Sequence, residues 1–402
     1  MTSLRLFVVL TVVPSIIFVL STTLVDSASH ENRRLSILVF GGNGFIGSAT
    51  VSRLLKTDHS ITIINRGNWY WDSNVLIKPY VRHLKCDRMQ SLYNCQDLVD
   101  FFKTSSSIYF DAIIDFSAYH PFAVREVLAI FRSKVGLYVL ISTDSVYDVC
   151  MKNHTAPSKE TDAVRPFAET MREDYAKNDN YGHLKLQCEE ELQQQPEADK
   201  IPFLIYRLPD VIGPKDNTYR WWLYQLWMKI RTYLERPVSL PANLVKQEMS
   251  LVYVEDVADI IVQYLTGSED INNEAYNLAI DETPTLYEVL SDIKDSLNLT
   301  DLNIFIEPLT SSSIYLFPSV KLGPVDVSKA KEKLNWKPTS WEKILKEIIA
   351  FYEKAIKEEK YEIPRRDVIH MMQKHLTRRP LQVLTGLRAV YGIDYPFVKE
   401  EL

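Results

Sequence analysis

The sequence predicts an α/β protein, a doubly wound parallel sheet with a smaller C-terminal substrate lobe. Three observations predict it. Near-continuous apolar runs alternate with helix-length segments through the first half of the chain, as in parallel sheets covered on both faces. A glycine-rich turn follows the first run and opens a helix. The alternation weakens after Pro209, where a Trp/Tyr-rich stretch from Tyr219 to Tyr233 begins.

The elements follow in order. Residues 1–28 read as a secretory signal peptide: Arg5 precedes an apolar run from Leu6 to Leu20, and Ser27, Ala28 and Ser29 offer a cleavage site. The alternative is an uncleaved anchor, since with Ser21 to Val25 the stretch approaches the roughly 20 residues that span a bilayer. Strands are expected at Leu35–Phe40, Ile61–Ile64, Val81–Lys85, Asp111–Phe116, Gly136–Ser142 and Phe203–Arg207. Helices are expected at Ala123–Ser133, around Tyr181 and near Val254–Leu265. Residues 35–207 form the first domain and 208–356 a substrate lobe interleaved with it. Residues 357–402 are charged, irregular and end in K-E-E-L.

That ending is close to a K-D-E-L retrieval signal. With the signal peptide it places the chain in the endoplasmic reticulum lumen, with a retrieval receptor as partner. Sequons at Asn153 and Asn298 are expected glycosylation sites. The net charge is −6 and no dense Lys/Arg stripe occurs, which argues against nucleic acid as a partner. The four cysteines, Cys86, Cys95, Cys150 and Cys188, read as buried small apolar side chains. Cys86 and Cys95 are the nearest pair for a single bridge in an oxidising lumen. No His/Cys spacing suits zinc, so no metal is expected.

Gly41-Gly42-Asn43-Gly44-Phe45-Ile46-Gly47 follows the first strand. Glycines here permit a tight turn, close approach to a pyrophosphate and close helix–strand packing, and the helix N-terminus offers free N–H groups to anionic phosphates. The turn predicts a Rossmann dinucleotide site, with Gly41, Gly44, Phe45, Ile46 and Gly47 expected on the cofactor. The second strand ends in Asn65 and Arg66 rather than an acid, which favours NADP over NAD. Asp87, after the third strand, is expected to contact the adenine.

Thr143 and Asp144 close the fifth strand, where open α/β sheets bind ligands. Tyr181 and Lys185, four residues apart, share a helix face. A nearby cation favours the phenolate of a tyrosine whose ordinary pKa is about 10. Thr143 would hold the substrate oxygen while Tyr181 moves its proton.

These motifs resemble the extended short-chain dehydrogenases/reductases, an NAD(P)-dependent epimerase/dehydratase-like family. The likeness runs from about Leu35 to Tyr352. It includes G-G-N-G-F-I-G, N-R-G at Asn65, C-D-R at Cys86, Y-G-H-L-K at Tyr181, R-L-P-D-V-I-G-P-K-D from Arg207 and A-Y-N-L-A from Ala275. The resemblance implies an epimerase or reductase acting on a nucleotide sugar by hydride transfer. It implies Thr143, Tyr181 and Lys185 as catalytic, substrate contacts at Asp144, Arg220 and Asp256, and a homodimer. S-T-D-S-V-Y is similar to the S-T-D-E-V-Y of dehydratases, but Ser145 stands where those enzymes carry the glutamate of water elimination. A catalytically inactive cofactor-binding sensor or scaffold of the same fold is the alternative.

Overall fold

The computed structural model describes residues 33–104, 108–152 and 157–393. The signal segment, Asn153 and the K-E-E-L ending lie outside the described residues.

The strands are β1 Ser36–Phe40, β2 Ser60–Asn65, β3 Arg82–Lys85, β4 Phe110–Asp115, β5 Val135–Thr143, β6 Phe203–Leu208, β7 Asp210–Ile212, β8 Ser239–Pro241, β9 Leu251–Tyr253, β10 Glu274–Asn277 and β11 Phe305–Glu307. Seven make one parallel sheet in the order β10-β6-β5-β4-β1-β2-β3. All six strands expected from the sequence belong to it. The seventh, β10, is short and begins with the exposed Glu274, so no apolar run marks it.

Alternate side chains of each strand enter opposite cores. Ile37, Val39, Ile63 and Ile114 pack on one face, and Leu38, Phe40, Ile113 and Tyr138 on the other. Strand order reverses at β1, which pairs with β2 on one side and β4 on the other. The segments leaving β1 and β4 therefore diverge and open a crevice at the carboxyl ends of the strands, the position where such sheets bind ligands.

The helix Val254–Gln263 lies against the helix Phe45–Leu54, where Arg53 meets Asp259 at 2.5 Å and Glu255 at 2.8 Å. The C-terminal extension is not irregular. It forms helices Glu362–Leu376 and Leu381–Tyr391. Val368, Ile369, Met372 and Leu376 make a buried stripe at helical spacing, hidden in the sequence by the charges between them. Two cysteines depart from the expectation of four free thiols. Cys86 and Cys95 form a disulfide with Cα atoms 5.5 Å apart, while Cys150 and Cys188 are free and buried.

Candidate active site

A cavity of about 1180 Å³ fills the crevice. That exceeds the roughly 300–1,000 Å³ of a single small-ligand site, leaving room for a dinucleotide and a second molecule. Its walls come from the glycine turn, the ends of β2 to β6, the helix Asn180–Gln193 and residues 208–220 and 319–322.

The glycine turn shapes one end. Gly41 sits at φ +78°, and its N–H bonds to Ile64 O at 3.1 Å. A Cβ on Gly47 would stand 2.2 Å from Gly41 O, so only glycine lets the helix start this close to the strand. The helix Phe45–Leu54 has no side-chain cap and no acid in its first turn. Its first N–H groups and the positive end of its dipole are left for an anion.

Gly41, Gly44, Phe45, Ile46, Gly47, Asn65, Arg66 and Asp87 all line the cavity. Asn65 Oδ1 accepts from Gly67 N at 2.7 Å and is 2.9 Å from His83 Nε2, while its buried Nδ2 has no partner. Arg66 is exposed and has no ion-pair partner among the described residues. An orphaned donor, an unpaired guanidinium and a helix N-terminus along one wall fit an anionic dinucleotide.

At the other end β5 delivers Thr143, whose Oγ1 accepts from Ser145 N at 3.2 Å and so starts the short 3₁₀ helix Asp144–Val149. The helix Asn180–Gln193 begins at Asp179, which caps Gly182 N at 2.9 Å. A Cβ on Gly182 would meet Ser145 O at 2.3 Å, so this glycine brings the helix against the Thr143 turn. Tyr181 is 46% exposed, with its ring facing the open cavity. Burial of its hydroxyl, together with Tyr119 and Asp144, holds the phenol above its ordinary pKa, while the neighbouring Thr143 hydroxyl acts the other way.

Lys185 is 2% exposed. Its ammonium donates to Ile141 O at 2.6 Å and Ala118 O at 3.0 Å and lies 5.8 Å from the Tyr119 ring. Burial lowers its pKa. The sequence led us to expect Lys185 to favour the Tyr181 phenolate. Its two carbonyl partners fix the ammonium at the ends of β4 and β5, in the same cavity wall as Tyr181.

Of the expected substrate contacts, Arg220 lines the cavity but is engaged by Asp210, Val211 O and Thr218. Asp144 is buried beside Thr143, behind the cavity wall rather than in it, and accepts from Thr143 Oγ1 at 3.3 Å. Asp256 is not in the cavity wall: its carboxylate accepts from Thr339 N at 2.7 Å and Thr339 Oγ1 at 2.6 Å. The sequence reading missed Tyr119, Asp148, Asp210, Asp216 and Lys321, all cavity residues. Asp210 and Asp216 carried a signal in the motif that starts at Arg207, and Tyr119 as the first bulky polar residue after β4.

Residues 37–279 match the NAD dependent epimerase/dehydratase family. The chain is 25% identical over 329 residues to a UDP-N-acetyl-alpha-D-glucosaminuronate decarboxylase of Bacillus cytotoxicus, covering 78% of this chain and 97% of that protein. It is 27% identical over 264 residues to the chloroplast stem-loop binding protein of 41 kDa b of Arabidopsis thaliana, covering 63% of this chain and 60% of that one. A solved dTDP-glucose 4,6-dehydratase of Bacillus anthracis, in complex with NAD, superposes with a TM-score of 0.61 at 19% identity over 80% of this chain and 98% of that one.

Proposed function

The chain belongs to the NAD-dependent epimerase/dehydratase family, and on that premise we propose that it is an epimerase or reductase of a nucleotide sugar. It is an NAD(P)-dependent enzyme. The observation that carries the reading is the gathering of Thr143, Tyr181 and Lys185 at one end of a cavity whose other end is the glycine turn. When bound, the nicotinamide supplies hydride acceptance and return. Thr143 holds the reacting oxygen of the sugar. Tyr181 exchanges a proton with that oxygen, and its protonated phenol is set for the donating half of the cycle. Lys185 keeps the β4 and β5 ends together through Ala118 O and Ile141 O. Nucleotide sugars are the substrates named for the bacterial relatives.

NADP is the preferred cofactor in this reading, supported by Arg66 and the absence of an acid at the end of β2. Titration with both dinucleotides at equal concentration tests it, and tighter NAD binding refutes it. For the reaction, the full chain is incubated with cofactor and UDP- or dTDP-hexoses, and products are followed by NMR. Wild type gives epimerised or reduced sugar. Tyr181→Phe keeps cofactor binding and loses turnover about 10²–10⁴-fold. Unchanged turnover overturns the reading.

We also place the protein in the endoplasmic reticulum lumen, acting as a homodimer. The Cys86–Cys95 disulfide supports an oxidising compartment. Asn298 is exposed at the end of the helix Leu286–Ser296, where a glycosyltransferase could reach it. Imaging chains with and without Glu401 and Leu402, and mobility before and after enzymatic deglycosylation, test this placement. Cytosolic staining of both chains would refute it.

A further inference from the structure

Between Ile363 and Ile393 the chain carries six Arg or Lys residues and one acid, in a protein whose net charge is −6. We propose that this part of the C-terminal extension docks on an anionic lipid bilayer, with Arg366, Lys374 and Arg378 on the headgroups and Ile363 and Leu381 sunk beside them. The cations form no dense run in the sequence because they are spaced for a helix. On the helix Glu362–Leu376, Ile363, Arg366, His370 and Lys374 recur at intervals of three and four residues, and all are exposed. That spacing puts them on one face. The opposite face, with Val368, Ile369, Met372 and Leu376, is buried and holds the helix on the body of the protein. Arg378 is exposed in the turn that follows.

The cations of this face are unspent. The side chains of Arg366, Lys374 and Arg378 have no partner among the described residues. Arg378 meets Glu235 only through its main-chain N–H, at 3.4 Å, and the Glu235 carboxylate pairs with Arg379 at 3.2 Å. The one acid of the stretch, Asp367, accepts from the Tyr219 hydroxyl at 3.0 Å. Glu362, the only exposed acid of the helix, opens it, one residue before the row begins.

Aliphatic side chains accompany the charge. Ile363 is 62% exposed, Leu381 58% and Val390 37%. Aliphatic groups beside cations suit a lipid interface, where they enter the acyl boundary while Lys and Arg reach the headgroups. Single-stranded nucleic acid calls for exposed rings on which bases stack. Neither this helix nor the helix Leu381–Tyr391 carries an exposed Phe, Tyr or Trp.

Co-sedimentation of the full chain with vesicles tests the proposal. Wild type should bind vesicles of phosphatidylcholine with phosphatidylserine at least ten-fold more tightly than vesicles of phosphatidylcholine alone, and high salt should erase the difference. The triple variant Arg366→Gln, Lys374→Gln, Arg378→Gln, checked for an unchanged melting curve, should lose that preference, since each cation near an anionic surface strengthens binding about five-fold. Ile363→Ser with Leu381→Ser should weaken binding several-fold while keeping the salt dependence. The apolar run from Leu6 to Leu20 is common to all these proteins and drops out of the comparison. Equal binding of wild type to both vesicles, or a triple variant that binds as wild type does, overturns the proposal. Tighter binding of a single-stranded RNA than of the anionic vesicles, lost in the same triple variant, overturns it in favour of nucleic acid.

Discussion

The Tyr361 hydroxyl donates to Asp72 Oδ2 at 3.1 Å, tying the C-terminal extension to the segment that leaves β2. Asp72 Oδ1 also takes Lys215 Nζ at 2.5 Å. Beside it Trp71, at φ +53°, packs on Tyr361, Trp222 and Phe351 with ring centroids 5.2, 5.5 and 5.6 Å away. The same segment carries Arg66, Asn68 and Tyr70 into the cofactor end of the cavity. In the glycine turn at the same end, Asn43 Nδ2 donates to Asn68 O. Lys215 adjoins Asp216, Thr218 and Arg220 at the substrate end. One aromatic cluster thus holds both walls.

Trp71→Ala should cost ~3 kcal/mol of stability through lost packing. Cofactor affinity should also fall several-fold at temperatures where the variant remains folded. Tyr361→Phe keeps the ring and should show only a small change in each. Denaturant melts and cofactor titration measure both; a Trp71→Ala variant that melts earlier but binds cofactor normally would limit the extension to a structural role.

The parallel sheet was legible because β1, β2, β4, β5 and β6 are buried on both faces, leaving apolar runs no surface strand would show. The glycine turn was legible because its spacing is dictated by backbone contacts such as Gly47 against Gly41 O. The substrate wall was not. Asp148, Asp210, Ser319 and Lys321 come from distant segments, and no local pattern says that Arg220 is spent on Asp210 while Asp148 keeps a free oxygen. Asp256 misled for the same reason: an acid in a family motif can be consumed by a distant loop, here at Thr339.

Glu189 should prove as sensitive to substitution as the catalytic groups on its helix. It lies four residues after Lys185, is fully buried, and meets Arg207 at 2.6 Å, with Ser142 donating to it as well. Arg207 also donates to Tyr147 OH at 3.0 Å, under the Thr143 turn. Glu189→Ala strands a buried guanidinium and should cost ~3–5 kcal/mol. Pairing it with Arg207→Met should recover part of that loss, which equilibrium unfolding in urea will read. A single variant as stable as wild type would mean that water reaches Arg207.

Removing the bridge by Cys86→Ser with Cys95→Ser should cost ~2–3 kcal/mol, the loop-closure value for a separation of 9 residues. Asp87 and Met89 lie inside that loop and in the cavity wall. Cofactor binding should therefore weaken alongside the melting temperature, and added reductant should do the same to wild type while leaving the double variant unaffected. A reductant effect of equal size on both proteins would point away from this bridge.

Asp144 sets the sign of one pH effect. Its folded-state pKa is raised well above the ordinary value, chiefly by burial and then by Asp210 and Asp148. Above about pH 4 the folded chain therefore holds a proton that the unfolded chain releases. Stability from this group is full below that pH and is lost as pH rises through the folded-state value. Asp144→Asn cannot ionise, and it also relieves the repulsion on Asp148. The melting temperature of the variant relative to wild type should rise as pH climbs from 5 towards the folded-state value of Asp144, whatever the offset at pH 5. Other raised groups, such as Asp216, titrate in both proteins and largely cancel in the difference. A difference that stays flat across that range would show that Asp144 ionises as an ordinary carboxyl, and that its buried position is relieved by water.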